Sequence, residues 1–181
     1  MGEFLMTYFG EINKSMKFMA QKKKILFLGQ STEVPGNLIF KSLEGVKKQK
    51  KIEMPVFEET QMGISIGLAL NGFIPVTCYP RFDFFILSLN QLVNHLDKLE
   101  VMSDGEWKPN VIVRVGKGSD KPLDPGHQHK ADYTDAFRDI VTNCTIEKLD
   151  KIEKIVPAYQ RALDIGGIHI LVEYPELYYE N

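Results

Sequence analysis

The sequence predicts an α/β fold, three layers deep with a mainly parallel central sheet, and three observations carry that reading. Short β-rich apolar runs alternate with longer stretches of helical period, the rhythm of strands joined by crossover helices. The run Ile25 to Leu28 (ILFL) is apolar without alternation and ends at Gly29, as a strand buried on both faces does. No repeat or low-complexity segment breaks this rhythm along the chain.

The elements follow in order. Thr7 to Ala20 sets Tyr8, Ile12, Met16 and Met19 at helical spacing, and Lys22 to Lys24 closes that stretch with positive charge suited to a helix C-terminus. The strand at 25–28 then hands over to a loop at its C-terminal end, the end of an open parallel sheet where ligands bind. Ile52 to Val56 reads as a second, weaker strand, and Gln61 to Asn71 as a helix of small residues. A third strand is expected at Ile74 to Tyr79, an amphipathic helix at Phe84 to Leu99, and a fourth strand at Val111 to Val115 (VIVRV). Residues 116–129 (GKGSDKPLDPGHQH) are too long for a simple connector and carry two of the four histidines, which marks a functional or mobile loop. A helix over Tyr133 to Val141, a strand at Cys144 to Ile146, a helix over Ile152 to Leu163 and a strand at Ile168 to Val172 complete the pattern.

Composition bounds the function. With 181 residues, 44% apolar and 25% charged, the chain is long enough to bury a core without disulfides or metals. A net charge of −2, with Lys and Glu scattered, leaves no electrostatic footprint for nucleic acid or a membrane surface. The longest apolar run, Ile64 to Tyr79, is interrupted by Asn71, Gly72 and Pro75, so a cytoplasmic protein is expected. Cys78 and Cys144 lack CxxC spacing and a metal constellation, and read as buried thiols in a reducing compartment. Residues 1–6, with a second start-like Met6, are set apart from one expected domain over 7–181.

The segment Met54 to Asn71 (MPVFEETQMGISIGLALN) holds the most chemistry. It places Glu58 and Glu59 after a strand and before a helix whose Gly63, Ser65, Gly67 and Ala69 admit close approach of a backbone or ring. Read from composition alone, two such carboxylates are helix-end charges worth a few tenths to about 1 kcal/mol. Phe82, Phe84 and Phe85 read as core packing by the same logic. His95 and His169 fall in helix and strand patterns and read as structural.

Six segments in order raise a different reading: ILFLGQSTEV, MPVFEETQMGISIGLALNGFIPV, RFDFFILSLNQLVN, PNVIVRVGKG, GHQHKADYTDAF and ILVEYPELYY. Together they resemble, nearly collinearly from Thr7 to Tyr178, the pyrimidine-binding domain of the beta subunit of pyruvate and branched-chain 2-oxoacid dehydrogenases. The matching domain of transketolase is similar at greater distance. The resemblance implies a thiamine-diphosphate-binding fold and half of that cofactor's site. The family's activating glutamate lies three residues after a proline and five before the first helix glycine, so Pro55 and Gly63 select Glu58. A carboxyl there hydrogen-bonds a ring nitrogen of the aminopyrimidine and favours the imino tautomer, whose nitrogen takes the proton from the thiazolium carbon.

The same resemblance implies that Phe84 stacks on the pyrimidine, with Pro80 standing where the family carries a larger apolar side chain. Asn90, Gln91 and Asn94 match an Asp-Gln-x-x-Asn stretch that faces the partner subunit. His129 matches the histidine directed at the reacting carbonyl; because the loop runs about two residues longer here, His127 stays an alternative. Arg114 is the family's buried arginine or an anion clamp, the former preferred. Gln30 stands where the family has an acid near the cofactor, which has become an amide or moved along the loop to Glu33. Residues 144–154 do not keep the family's monovalent-ion loop, so no potassium site is expected.

The chain has no Gly-Asp-Gly motif, so the diphosphate and its Mg2+ are expected on a separate alpha-type subunit in an α2β2 heterotetramer. Without the family's C-terminal domain, the expected activity is 2-oxo acid decarboxylation or carboligation onto an aldehyde or ketose. The alternatives are a fragment of a dehydrogenase beta subunit and a non-catalytic regulatory module of the same fold.

Overall fold

The computed structural model describes residues 6–121 and 123–179; residues 1–5, set apart from the fold above, lie outside the described residues. Six strands form one wholly parallel sheet: β1 (Ile25–Gly29), β2 (Lys51–Glu53), β3 (Ile74–Tyr79), β4 (Val111–Gly116), β5 (Cys144–Lys148) and β6 (Ile168–Glu173), in the order β2-β1-β3-β4-β6-β5. Each strand alternates its side chains between two apolar layers. Ile112 and Leu171 face α1 (Tyr8–Ala20), α2 (Leu38–Ser42) and α7 (Ile152–Ile165), where Met16, Ile39 and Tyr159 meet them. Val111, Val113 and Val115 face the other way, toward α3 (Glu58–Leu70), α4 (Phe82–Phe85) and α6 (Thr134–Ile140), through Met62, Phe85 and Phe137. The three-layer α/β architecture expected from the sequence is borne out.

Thr7 caps α1, its hydroxyl accepting from the Gly10 N–H at 3.1 Å. Strand β2 is shorter than the expected 52–56, because Met54 donates the last ladder bond, to Gly29 O at 3.0 Å, and Pro55 has no N–H to continue. Helix α3 begins three residues earlier than expected, at Glu58, so both glutamates lie inside its first turn. The expected single helix over 84–99 is broken into α4, a 3-10 turn at Ile86–Ser88, a π turn at Gln91–Leu96 and α5 (Leu99–Met102). The wide turn, closed by Asp97 N–H to Leu92 O at 2.8 Å, keeps Leu92 and Leu96 buried while delivering Asp97 to the turn before β5. There the Asp97 carboxylate accepts from the Thr142 and Asn143 N–H groups at 2.9 and 2.7 Å.

The segment 30–50 carried no expected element, yet it holds α2, whose start Asn37 caps by accepting from Phe40 N–H at 3.0 Å. Cys78 is buried, and burial pushes its thiol up to about 11. Cys144, expected to be buried, is only partly so because β5 is an edge strand. Among the described residues no helix is long and apolar enough to cross a membrane, and no cluster of His, Cys, Asp and Glu could hold a metal ion.

Candidate functional site

Strand order reverses between β1 and β3, and the crevice over their C-terminal ends is where parallel sheets of this kind bind ligands. The chain converges there closely. Gly29 ends β1 at φ +146°, and a Cβ on it would overlap the carbonyl oxygen of Cys78. At the other side a Cβ on Gly116 would lie 2.6 Å from Pro80 O. Glycine at these two points lets β1, β3 and β4 end against one another.

The loop after β1 is organised by Glu53, a residue the sequence reading did not single out. Its carboxylate accepts from Ser31 N–H and Glu33 N–H, both at 2.6 Å, and from the Thr32 hydroxyl at 3.1 Å. Burial alone would raise the Glu53 pKa, but these donors outweigh it and hold the carboxyl below its ordinary value. The pinned loop carries Ser31 at φ +65° and leaves Gln30 half-buried directly after β1. Glu33 turns away from it, 3.8 Å from Lys48 Nζ.

Glu58 is the first residue of α3 and is 7% exposed. Its carbonyl accepts from the Tyr79 hydroxyl at 3.4 Å, which ties the helix start to the end of β3. No described residue donates a hydrogen bond to its carboxylate. Glu59 behaves differently: it is exposed and accepts from Asn90 Nδ2 at 3.3 Å and Gln91 Nε2 at 3.5 Å. Asn94 bonds Asn90 Oδ1 at 2.9 Å, so the polar stretch expected to face a partner forms a ladder on an exposed surface.

The three phenylalanines divide. Phe82 and Phe85 are fully buried, packed on Phe137 with ring centroids 5.1 and 5.0 Å apart, and Tyr79 lies 4.7 Å from Phe85. This anchorage leaves Phe84, half-buried, on the other side, where its ring meets the His129 imidazole with centroids 5.2 Å apart. His129 is half-buried on a short 3-10 turn, its carbonyl accepting from Arg81 Nη1 at 2.9 Å, and its Nδ1 is buried without a hydrogen-bond partner. His127 is exposed on the same turn. The loop that carries both is closed at its base by Gly118 N–H to Ala131 O at 2.9 Å.

Arg114 is buried and donates twice to Glu173, Nε to Oε1 at 2.7 Å and Nη2 to Oε2 at 2.9 Å, with Nη1 reaching Ser42 Oγ at 2.9 Å. Glu173 also accepts from the hydroxyls of Tyr159, at 2.5 Å, and Tyr178. This places Arg114 in a saturated interior network, with no donor pattern open enough to clamp an anion on its own. Its partner Glu173, the last residue of β6, was also missed in the sequence, where an acid after ILV reads as the end of a strand. His169 is buried on β6 with Nε2 2.8 Å from Gly166 O, and His95 is exposed. The structure places Gln30, Glu58 and Pro80 in the segments that follow the C-terminal ends of β1, β2 and β3, packs Phe84 against His129, and leaves His127 exposed on the same turn.

No family model matches the chain. It is 27% identical over 119 residues to the 2-oxoisovalerate dehydrogenase subunit beta of Bacillus subtilis, covering 63% of this chain and 36% of that protein. It is 30% identical over 115 residues to the 3-methyl-2-oxobutanoate dehydrogenase subunit beta of Mycobacterium tuberculosis, covering 61% and 33%. The chain thus spans about a third of the length of the curated relatives it matches. Among solved structures, a split-gene transketolase described as an inactive beta4 tetramer matches with a TM-score of 0.65 at 18% identity, covering 90% of this chain and 48% of that one. The resemblance to dehydrogenase beta subunits is borne out over the matched segment, and the transketolase likeness bears out the fold.

Proposed function

We propose that residues 7–181 are the pyrimidine-binding domain of a two-chain thiamine-diphosphate enzyme that cleaves or forms a C–C bond beside a carbonyl. The substrates are a 2-oxo acid and, in carboligation, an aldehyde or ketose. The observation that carries this reading is Glu58: a largely buried side chain at a helix start beyond the C-terminal end of β2, its carboxylate unpaired within the described chain while its neighbour Glu59 accepts from Asn90 and Gln91.

The residues fit the cofactor's pyrimidine half. Glu58 offers the carboxyl that a ring nitrogen needs, Phe84 an aromatic face, and His129 an orphaned ring nitrogen. Bound there, thiamine diphosphate would supply a carbon nucleophile for attack on a carbonyl. Glu58 holds a proton against the pyrimidine ring nitrogen. Phe84 orients the ring, with Pro80 and Gln30 closing the rim. His129 holds or returns a proton at the substrate's carbonyl oxygen, a task that imidazole suits near neutral pH. The diphosphate and Mg2+ belong to an alpha-type partner in an α2β2 assembly within the cytoplasm. The Asn90–Asn94 surface meets that partner, and the chain alone is inactive, as the similar beta4 tetramer is described to be.

The test is to co-purify the chain with a partner bearing Gly-Asp-Gly, add thiamine diphosphate and Mg2+, and follow CO2 release from 2-oxo acids with and without aldehyde acceptors. Glu58→Gln should cut turnover by ~10²-fold or more while leaving the melting curve in place. Unchanged turnover in that variant would sink the assignment. A second reading is favoured by the curated relatives, which are named as dehydrogenase beta subunits: the chain is part of a longer subunit of that kind. Transfer of the acyl group to a lipoyl domain by the reconstituted enzyme would select it.

A further inference from the structure

A cavity of about 290 Å³ opens over the C-terminal ends of β3, β4 and β6, on the α2 side of the sheet. Of the residues proposed above for the cofactor it touches Pro80 alone; Glu58, Phe84 and His129 do not line it. Its walls are mostly apolar, with Ile39, Tyr79, Pro80 and Tyr178 forming the body. Its volume matches roughly ten waters' worth of liquid, the size of a small organic molecule.

The charge around it is unequal. Glu173 at the floor is consumed by Arg114, Tyr159 and Tyr178, so that pair adds no net charge. Lys117 on the wall is neutralised by Glu176 at 2.7 Å. Two cations remain without a carboxylate partner among the described residues, Arg81 and Lys121. Arg81 is half-buried and spends Nη1 on the carbonyl of His129, which fixes its guanidinium at the cavity wall with its other N–H groups uncommitted. A planar cation held over an apolar body recognises a carboxylate on an apolar molecule. A dianion would need more cationic donors than one fixed guanidinium and one exposed lysine supply.

We propose that this cavity is a second small-molecule site, selective for a singly charged organic carboxylate of about phenylacetate's size, with Arg81 holding the head group. Since the same guanidinium holds the His129 carbonyl, occupancy is felt by the loop that carries His129. The proposal does not depend on the cofactor reading, and its test uses the full chain with neither cofactor nor partner.

The measurement is a titration of the methyl-labelled chain, followed by NMR, with phenylacetate, its neutral amide phenylacetamide, and phenyl phosphate. Phenylacetate should shift Leu38, Ile39 and Leu123 and leave Ile64 on α3 still, and phenylacetamide should bind at least tenfold more weakly. Arg81→Gln should weaken phenylacetate about tenfold without moving phenylacetamide; Lys121→Gln, at an exposed position that does not endanger folding, should weaken it less. Glu58→Gln should bind phenylacetate as the wild type does, which separates this site from the cofactor site. Equal binding of acid and amide, shifts confined to other methyls, no binding, or an Arg81→Gln variant with unchanged affinity each overturns the proposal. Tighter binding of phenyl phosphate overturns the carboxylate assignment.

Discussion

Replacing Glu173 by Gln removes the negative member of an interior pair whose two side chains are each 3% exposed. The shape is kept, but Tyr159 and Tyr178 donate to different carboxylate oxygens, so one side loses its acceptor to the amide NH2 and the Arg114 guanidinium is left charged without a counter-ion. Breaking buried pairs this way costs about 3–5 kcal/mol, and the lower end, about 3 kcal/mol, sets the minimum expected loss. For a chain of this size that lowers the melting temperature by roughly 6–12 °C. With a denaturant slope of roughly 2 kcal/mol/M, the urea midpoint falls by about 1.5 M. Adding Arg114→Met to that background removes the orphaned charge, so the double variant should be more stable than Glu173→Gln alone. The pH dependence adds a second signature. Burial would raise the Glu173 carboxyl, but Arg114 first, and then the two tyrosine hydroxyls, hold it below its ordinary value. Its contribution is therefore complete above the unfolded-state value and is lost as pH falls through the lower folded value, so the variant should show a flatter acid limb. A loss under about 1 kcal/mol, or a double variant as unstable as the sum of its single changes, would refute the orphaned-charge account.

Two further outcomes follow from the crevice. Gly29→Ala combines φ +146° with overlap onto the Cys78 carbonyl, and should cost about 2–3 kcal/mol by urea denaturation; a neutral result would mean that β1 and β3 can part without penalty. In the reconstituted enzyme His129→Ala should lower kcat by ~10²–10⁴-fold while His127→Ala stays within about twofold of wild type, and the reverse order would give the substrate's histidine to position 127.

The strands were the most legible part of the sequence because continuous apolar runs such as VIVRV leave a buried parallel strand little competition. What the sequence hid was structure set by polar groups far apart in the chain. Glu53 reads as a charged residue near the start of a weak strand, and only the fold shows that its carboxylate shapes the loop at 31–33. The segment from Phe84 to Leu99 has good helical periodicity, yet a π turn interrupts it because Asp97 is needed 45 residues downstream, at Thr142. No local propensity encodes that demand. Candidate residues were legible through the resemblance rather than through spacing: nothing in three nearby phenylalanines says that the middle one turns outward until Phe137 and Tyr79 are seen to claim the other two.

Glu58 and Glu59 make the same point about function. Both occupy the first turn of α3, and a helix N-terminus stabilises either carboxylate equally well while it stays in water. A purely electrostatic role would be served by two exposed side chains, and Glu59, held by Asn90 and Gln91 on the surface, fills that role. Glu58 instead has a side chain only 7% exposed beside Tyr79, and its carboxylate gains no donor from the described chain while its oxygens stay open to the outside. A largely buried side chain that keeps an open, unpartnered carboxylate is the arrangement that a hydrogen-bonding ligand would complete.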